Sequence, residues 1–406
     1  MKKNVSLPTA ATAAVLASVL TFQITYVTLK GNEQDEKSSD VSQNSFIERA
    51  TEKLTELDER FRKLYIGDLD DDTLVDYVMK GYMAGTGDAY GAYYTADEYE
   101  QQMKDLNADS EGIGVSVIFN SELRCIEIID VLPSSPAFEA GVEVGDLVAY
   151  IGEEKESVSS LGYEAALSKL RGEAGTDAVF SVIRGENAEL IEFSVTREHV
   201  ESISVMSHVY SPDNSIGVIK ITGFDKKTPE QFKSALEGLA EEGCDKFIFD
   251  LRYNPGGELT SVVSTLDYLL PEGPVIRIFD AQDNLVGQES SDEECVDYPF
   301  AIVVNGSTAS AAELFTSAMM DYDRATVVGT TTYGKGCMQT HQLLSDGSAL
   351  SVTYRMYKPP FSEGYHGVGI KPDIEVELDE SLKGISIYKI TDEMDNQLAE
   401  AANVLS

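Results

Sequence analysis

From Ile216 onward, short apolar runs alternate with amphipathic helical patterns, and this alternation restricts the fold more than any other feature of the chain. The runs Ile216–Ile221, 246–251 and Phe300–Val304 are followed by helical spacing over 229–241, 258–270 and 310–320. Such an order predicts βα units on a largely parallel sheet. In sheets of this kind ligands gather beyond the carboxyl ends of the strands. Two unusual segments fall at those ends.

The first segment is Asp250-Leu251-Arg252-Tyr253-Asn254-Pro255-Gly256-Gly257, leading from a strand into a helix. Gly256 and Gly257 permit close backbone approach, and amides at the helix entrance suit a developing oxyanion. A plain strand-to-helix turn is the competing reading. The second is Asn305-Gly306-Ser307-Thr308-Ala309-Ser310-Ala311-Ala312-Glu313. Ser310 and Glu313 have the spacing of a capping box. That reading and a catalytic one do not exclude each other. A serine at a helix start holds its hydroxyl over the sheet edge, and the Ala311 amide beside it is placed to donate to an oxyanion.

A serine hydroxyl is a poor nucleophile without a base. His199, His208, His341 and His366 are scattered and form no triad pattern. The candidate base is Lys335, set between Gly334 and Gly336 after an expected strand at 326–329. To serve as base it must be neutral, which requires burial to lower its pKa. Gln339, four residues on, is placed to orient the amine.

Between about 109 and 198 the pattern changes to short alternating strands, at 114–119, Cys125–Val131, Leu147–Ile151, 178–184 and 190–195, with helices at 135–140 and 162–170. The loop Gly112-Ile113-Gly114-Val115 suits capture of a peptide carboxylate by backbone amides. Upstream, helical spacing at 46–64 and 73–83 and a tyrosine-rich stretch N-capped by Thr95 predict a helical arm. Lys2 and Lys3 precede a stretch, 5–29, without a charged residue, long enough for one transmembrane helix and oriented amino end inside. A cleaved signal peptide is the alternative; either way the chain is expected to be exported. The polar residues 31–44 read as a spacer.

Lys and Arg number 31 against 70 Asp and Glu, a net charge of −39, which argues against nucleic-acid binding. The four cysteines, Cys125, Cys244, Cys295 and Cys337, show no metal-ligand spacing, so neither a metal site nor another cofactor is expected. Cys337 reads as a strand residue near Lys335.

Taken together, these motifs resemble the C-terminal processing (tail-specific) serine peptidases, PDZ-containing Ser–Lys proteases. The resemblance rests on Asp250 to Gly257, on Ser310 three residues before Glu313, on Lys335 after 25 further residues, and on Gln339. It also rests on Asp321-Tyr322-x-Arg324-Ala325 and on Gly367-Val368-Gly369-Ile370-x-Pro372-Asp373, and it spans roughly 46–400. Ser310 is flanked by Thr308-Ala309 and Ala312, where the family usually carries more serines.

The resemblance implies a multidomain α/β fold: a membrane anchor or signal segment (1–30), a spacer and helical arm (31–107), a PDZ domain (108–198), a crotonase/ClpP-like α/β protease core (199–383) and a helical tail (384–406). It implies Ser310 as nucleophile, Lys335 as base, Gln339 as its partner, and the amides of Ala311 and of Gly256 or Gly257 around the oxyanion. Gly112, Ile113, Gly114 and Val115 would receive a free peptide C-terminus, with Arg171 responding to it and the PDZ domain gating the site. Arg171 also reads as a solvated helix-terminal charge. The family often forms homodimers through its helical ends. The tail residues Met394, Leu398, Ala402 and Leu405 fit that role, and equally a helix packed on its own domain. The competing functions are a catalytically silent PDZ scaffold and a crotonase-like enzyme acting on acyl thioesters.

Overall fold

The computed structural model describes residues 40–106, 109–120, 123–132, 135–185, 187–201, 203–382, 385 and 387–406. Among the described residues, 40–87 form one compact unit and those from 88 onward form another. Among the described residues no helix is long and apolar enough to cross a membrane, and the expected anchor at 5–29 lies outside them.

In the smaller unit, α1 (Asp40–Leu64) and α2 (Asp71–Gly85) account for the expected helical spacing. Asp70 caps α2, accepting from the Asp72 and Thr73 amides at 3.1 and 3.3 Å. Arg62 pairs with Asp71 across the turn.

The larger unit opens with β1 (Ala92–Tyr94) and α3 (Ala96–Leu106). The start of α3 carries a complete capping box: Thr95 Oγ1 accepts from Glu98 N at 3.2 Å and Glu98 Oε2 from Thr95 N at 2.9 Å. An antiparallel domain follows: β2 (Asp109–Gly112), β3 (Val115–Asn120), β4 (Cys125–Val131), α4 (Pro136–Ala140), β5 (Leu147–Ile151), β6 (Glu156–Ser157), α5 (Val158–Leu161), α6 (Tyr163–Leu170), β7 (Asp177–Arg184), β8 (Glu189–Thr196) and β9 (Glu198–Glu201). Its sheet runs β3-β4-β5-β7-β8, with β6 on β5, while β2 and β9 pair as a separate ribbon. Alternate residues of the strands (Ile126, Ile128, Phe180, Val182) bury one face against Ala166 and Leu170 of α6. All five expected strands and both expected helices match within a residue at each end.

The remaining chain supplies β10 (Val205–Val209), β11 (Ile216–Ile221), α7 (Thr228–Glu241), β12 (Lys246–Asp250), α8 (Leu259–Asp267), β13 (Gly273–Phe279), β14 (Leu285–Ser291), β15 (Phe300–Val304), α9 (Ala311–Asp321), β16 (Ala325–Gly329), β17 (Cys337–Leu343), β18 (Ala349–Lys358), β19 (Ile374–Glu375) and α10 (Asn396–Asn403). The main sheet runs β10-β11-β12-β15-β16-β19 and is parallel except for β10. Period-2 alternation sends its side chains to two layers. Ile219, Phe249 and Ile302 pack with Phe232, Leu266 and Phe315 of α7, α8 and α9. Val218, Ile248 and Val303 pack with Leu398 and Ala401 of α10. Leu398, Ala402 and Leu405 are therefore core residues of this domain, whereas Met394 is exposed.

A second sheet, β1-β18-β13-β14 with β17 also on β18, has no counterpart in the sequence reading. Its strands carry long polar stretches, as in β14 (LVGQESS), so their alternation is weak. Tyr357, Ile276 and Met338 still anchor it on the α8–α9 side of the core.

Candidate active site

The β12 and β15 ends stand side by side in register, Asp250 opposite Val303. Their loops are laced together. Asn254 is fully buried; its Nδ2 donates to Ile221 O (2.8 Å), its backbone carbonyl accepts from Ala309 N (2.9 Å), and its Oδ1 accepts from Gly256 N (2.8 Å). Thr308 Oγ1 donates to Leu251 O at 2.8 Å. These bonds press Gly256 onto Ser310. Gly256 has φ +104°, and a Cβ there would stand 2.7 Å from Ser310 Cβ and 2.9 Å from Ala311 N, so only glycine fits. Since the Gly256 N–H is committed to Asn254, Gly256 serves the close approach. Ala311 N lies beside this contact, and Gly257, next along, packs against Phe224.

Ser310 occupies φ +57°, ψ −118°, a conformation that costs a non-glycine residue of order 1–3 kcal/mol. It precedes α9, whose residues Ala311 to Met319 are all buried. The expected capping box pairs Ser310 with Glu313, though the serine hydroxyl closes no full hydrogen bond in it. Glu313 Oε2 accepts from Ser310 N at 2.9 Å, while Ser310 Oγ is buried and has no hydrogen-bond partner among the described residues. The hydroxyl is thus left for another task, at the N-terminus of a buried helix where negative charge is favoured.

Glu313 is the larger surprise. It is fully buried and accepts four bonds: from Thr332 Oγ1 (2.5 Å) and Gly334 N (2.7 Å) on Oε1, and from Lys335 N (2.7 Å) and Ser310 N on Oε2. Burial pushes its pKa up, and the four donors pull toward the charged form. Four donors fill an ionised carboxylate's acceptor sites and leave no room for a proton. One oxygen therefore holds the backbones of Ser310 and Lys335 together. The serine-plus-three spacing revealed the residue but not this role, because the second half of the contact comes from a turn more than twenty residues away.

The Lys335 turn is tight. Gly334 has φ +94°, and a Cβ there would meet Gly369 N at 2.8 Å. Gly367 N donates to Gly334 O (2.8 Å) and Thr332 N to Ile370 O (3.1 Å), so the Gly367–Ile370 motif backs the turn. Lys335 has no exposed surface, and burial pushes its ammonium down to about 8. Its Nζ donates to Gln339 Oε1 at 3.0 Å. A bulge between Met338 and Gln339 breaks the β17–β18 register and re-aims the glutamine. Gln339 Nε2 donates to the Tyr90 carbonyl, which fixes the amide with its oxygen toward the lysine. The Tyr90 ring lies 4.9 Å from Lys335 Nζ. Tyr90, Asn254 and Thr332 were not singled out by the sequence; Asn254 lay inside a recognised segment, and Tyr90 inside a stretch read only as the approach to a helix. Cys337 opens β17 beside the lysine, fully buried, its thiol raised to about 11 by burial.

In the antiparallel domain, Gly112, Ile113, Gly114 and Val115 line a groove of about 260 Å³ together with Leu132, Tyr163, Leu167, Leu170 and Arg171. Ile113 O accepts from Ala137 N (2.9 Å) and Gly114 O from Leu132 N (2.9 Å). A trans peptide aims its N–H opposite its carbonyl. The amides of Gly114 and Val115 therefore face away from those partners.

A buried α/β core with a strained serine and a desolvated lysine at its strand ends is the setting of a serine hydrolase. Residues 215–376 match Peptidase family S41. The "Carboxy-terminal processing protease CtpA" of Bacillus subtilis is 30% identical over 91% of this chain and 76% of its own length. The "Carboxyl-terminal-processing protease" of Synechocystis is 31% identical over 76% of this chain and 72% of its own. A putative S41 protease from Bacteroides fragilis shares the fold, with a TM-score of 0.52 at 14% identity over 85% of this chain and 93% of that one. The chain belongs to peptidase family S41 and is a serine peptidase of the carboxyl-terminal processing class.

Proposed function

We propose that the chain is an exported, membrane-tethered endopeptidase that cleaves proteins near or from their C-termini by a Ser310–Lys335 dyad. Neutral Lys335 takes the Ser310 proton as Oγ bonds to the scissile carbonyl carbon. The amides of Ala311 and Gly257 receive the oxyanion, the amine leaves with a proton, and water then cleaves the acyl-enzyme with Lys335 again as base. Gln339 orients the amine. The observation that carries this reading is the shared Glu313 oxygen: it ties the backbone of an unpartnered, strained serine to that of a desolvated lysine.

Residues 108–198 act as a PDZ domain. The groove at Gly112–Val115 takes a peptide carboxylate, Arg171 borders it, and ligand binding gates the site. Support comes from the strand order and from the tied-back carbonyls of that loop. The charge-free segment 5–29 supplies the tether, and the N-terminal helices form an arm.

The test uses one unstructured substrate prepared both as the free acid and as the C-terminal amide. Wild type should cut the acid form faster. Purified Ser310→Ala and Lys335→Ala should cut neither, with rates down by at least about 10³-fold. Cleavage by either variant, with contamination excluded, overturns the dyad; equal rates on acid and amide overturn the gating.

A further inference from the structure

We propose that Tyr90, 245 residues before the base it serves, is a positioning residue for Lys335: its carbonyl sets the Gln339 amide, and its ring face receives the ammonium that forms when the lysine takes the serine proton. This rests on Lys335 being the base.

The placement of Tyr90 is built. Asp88 Oδ2 accepts from Thr353 N and Oδ1 from Thr353 Oγ1, both at 2.8 Å. Asp88 Oδ1 also accepts from Tyr90 N at 3.0 Å, closing a turn. Thr353 lies opposite Gln339 in the β17–β18 register. A single carboxylate on β18 thus sets Tyr90 over the strand position that carries Gln339. The edge of the ring meets His366, centroids 6.0 Å apart, and His366 Nδ1 accepts from Gly336 N at 3.2 Å. Tyr90 is held between the two flanks of the lysine turn.

The chemistry needs such a face. A base that reacts in its neutral form and is cationic in the transition state gains from groups that favour its charged form without charging it permanently. A nearby carboxylate bonded to the amine would keep it protonated. A carbonyl dipole and a ring quadrupole are weaker and fixed in place. The charged or titratable groups around the amine and ring are Asp88 before β1, Glu313 on α9, Tyr333 in the turn, Cys337 on β17 and His366 behind the turn. Of these, Asp88 and Glu313 are tied up by other donors.

The experiment measures kcat, KM and the pH–rate profile of the full chain on an unstructured peptide. Tyr90→Leu should lower kcat about tenfold with KM within about twofold. It should also shift the rising limb to lower pH, because the ammonium loses a stabilising face. Tyr90→Phe should restore both. Pentafluorinated phenylalanine at position 90 keeps the shape while removing the negative face; it should behave as Tyr90→Leu does, and it serves if the leucine variant misfolds. Wild-type kcat and profile in the fluorinated protein, with Lys335→Ala inactive, would overturn the role of Tyr90 alone. Cleavage by Lys335→Ala would instead overturn the dyad on which it rests.

Discussion

The core buries cations at the end of β12 and again after β16, and it surrounds them differently. At the end of β12, Arg252 and Lys220 share Asp250: Arg252 Nη2 and Lys220 Nζ lie 2.8 and 3.0 Å from Oδ2, and Arg252 Nε donates to Oδ1 at 2.9 Å. Arg252 Nη1 adds Asp395 at 2.8 Å and Gln397 at 3.1 Å, joining the tail to the strand. These opposite charges hold the Asp250 carboxyl well below the carboxylate range and the Arg252 guanidinium above its own, although burial opposes both. After β16, Lys335 is equally buried, but its amine faces a neutral amide and a ring, so burial dominates and the pKa falls. Similar burial leaves Arg252 charged between two carboxylates, whereas it lowers the pKa of the Lys335 ammonium and also that of Lys220, which has only a share of Asp250.

The largest expected effect comes from breaking the scaffold. Asp250→Asn leaves Arg252 and Lys220 short of charge in the interior and should cost about 3–5 kcal/mol, read as a lower urea midpoint at unchanged slope. A loss below about 1 kcal/mol would mean that the two sites do not differ in kind.

Supplying Lys335 with a carboxylate comes next, and it tests the proposed base. In wild type, kcat should rise with pH and level off above about 8, since the ammonium is inactive and is lost through that value. Gln339→Glu places a carboxylate at the amine and should move that midpoint up by about 1–3 units. The rate at neutral pH then falls about 10- to 1000-fold and partly recovers in alkali. An unmoved midpoint would separate Lys335 from the titration.

Lys220→Met sharpens the comparison from the other side. Asp250 keeps its three bonds from Arg252, and the cost of burying the lysine disappears with it. The loss should be about 1 kcal/mol or less in the same unfolding assay. A loss matching that of Asp250→Asn would make Lys220 the principal counter-ion.

The same division runs through what could be read from the chain. Asp250 to Gly257, Ser310 and Lys335 were legible because each sits at a strand end or a tight turn, where local sequence dictates local geometry; Gln339, inside β17, was legible only through its spacing from Lys335. The parallel strands were legible through their unbroken apolar runs. The β13–β14 and β17–β18 ribbons were not, because half-exposed antiparallel strands carry polar residues at irregular intervals.

Sequence by itself therefore determined the elements of the parallel core, the serine–glutamate spacing and the glycines that force the turns, all set by neighbours within a few residues. Only the tertiary structure decided that Glu313 would hold the lysine turn as well as the serine. It alone left Ser310 Oγ without a full hydrogen bond among the described residues, brought Tyr90 over Lys335, and packed the tail helix on its own sheet. Each of these depends on which distant segment fills the space beside a buried polar group. That choice is made by packing and hydrogen-bond satisfaction across the whole core, and no local pattern carries it.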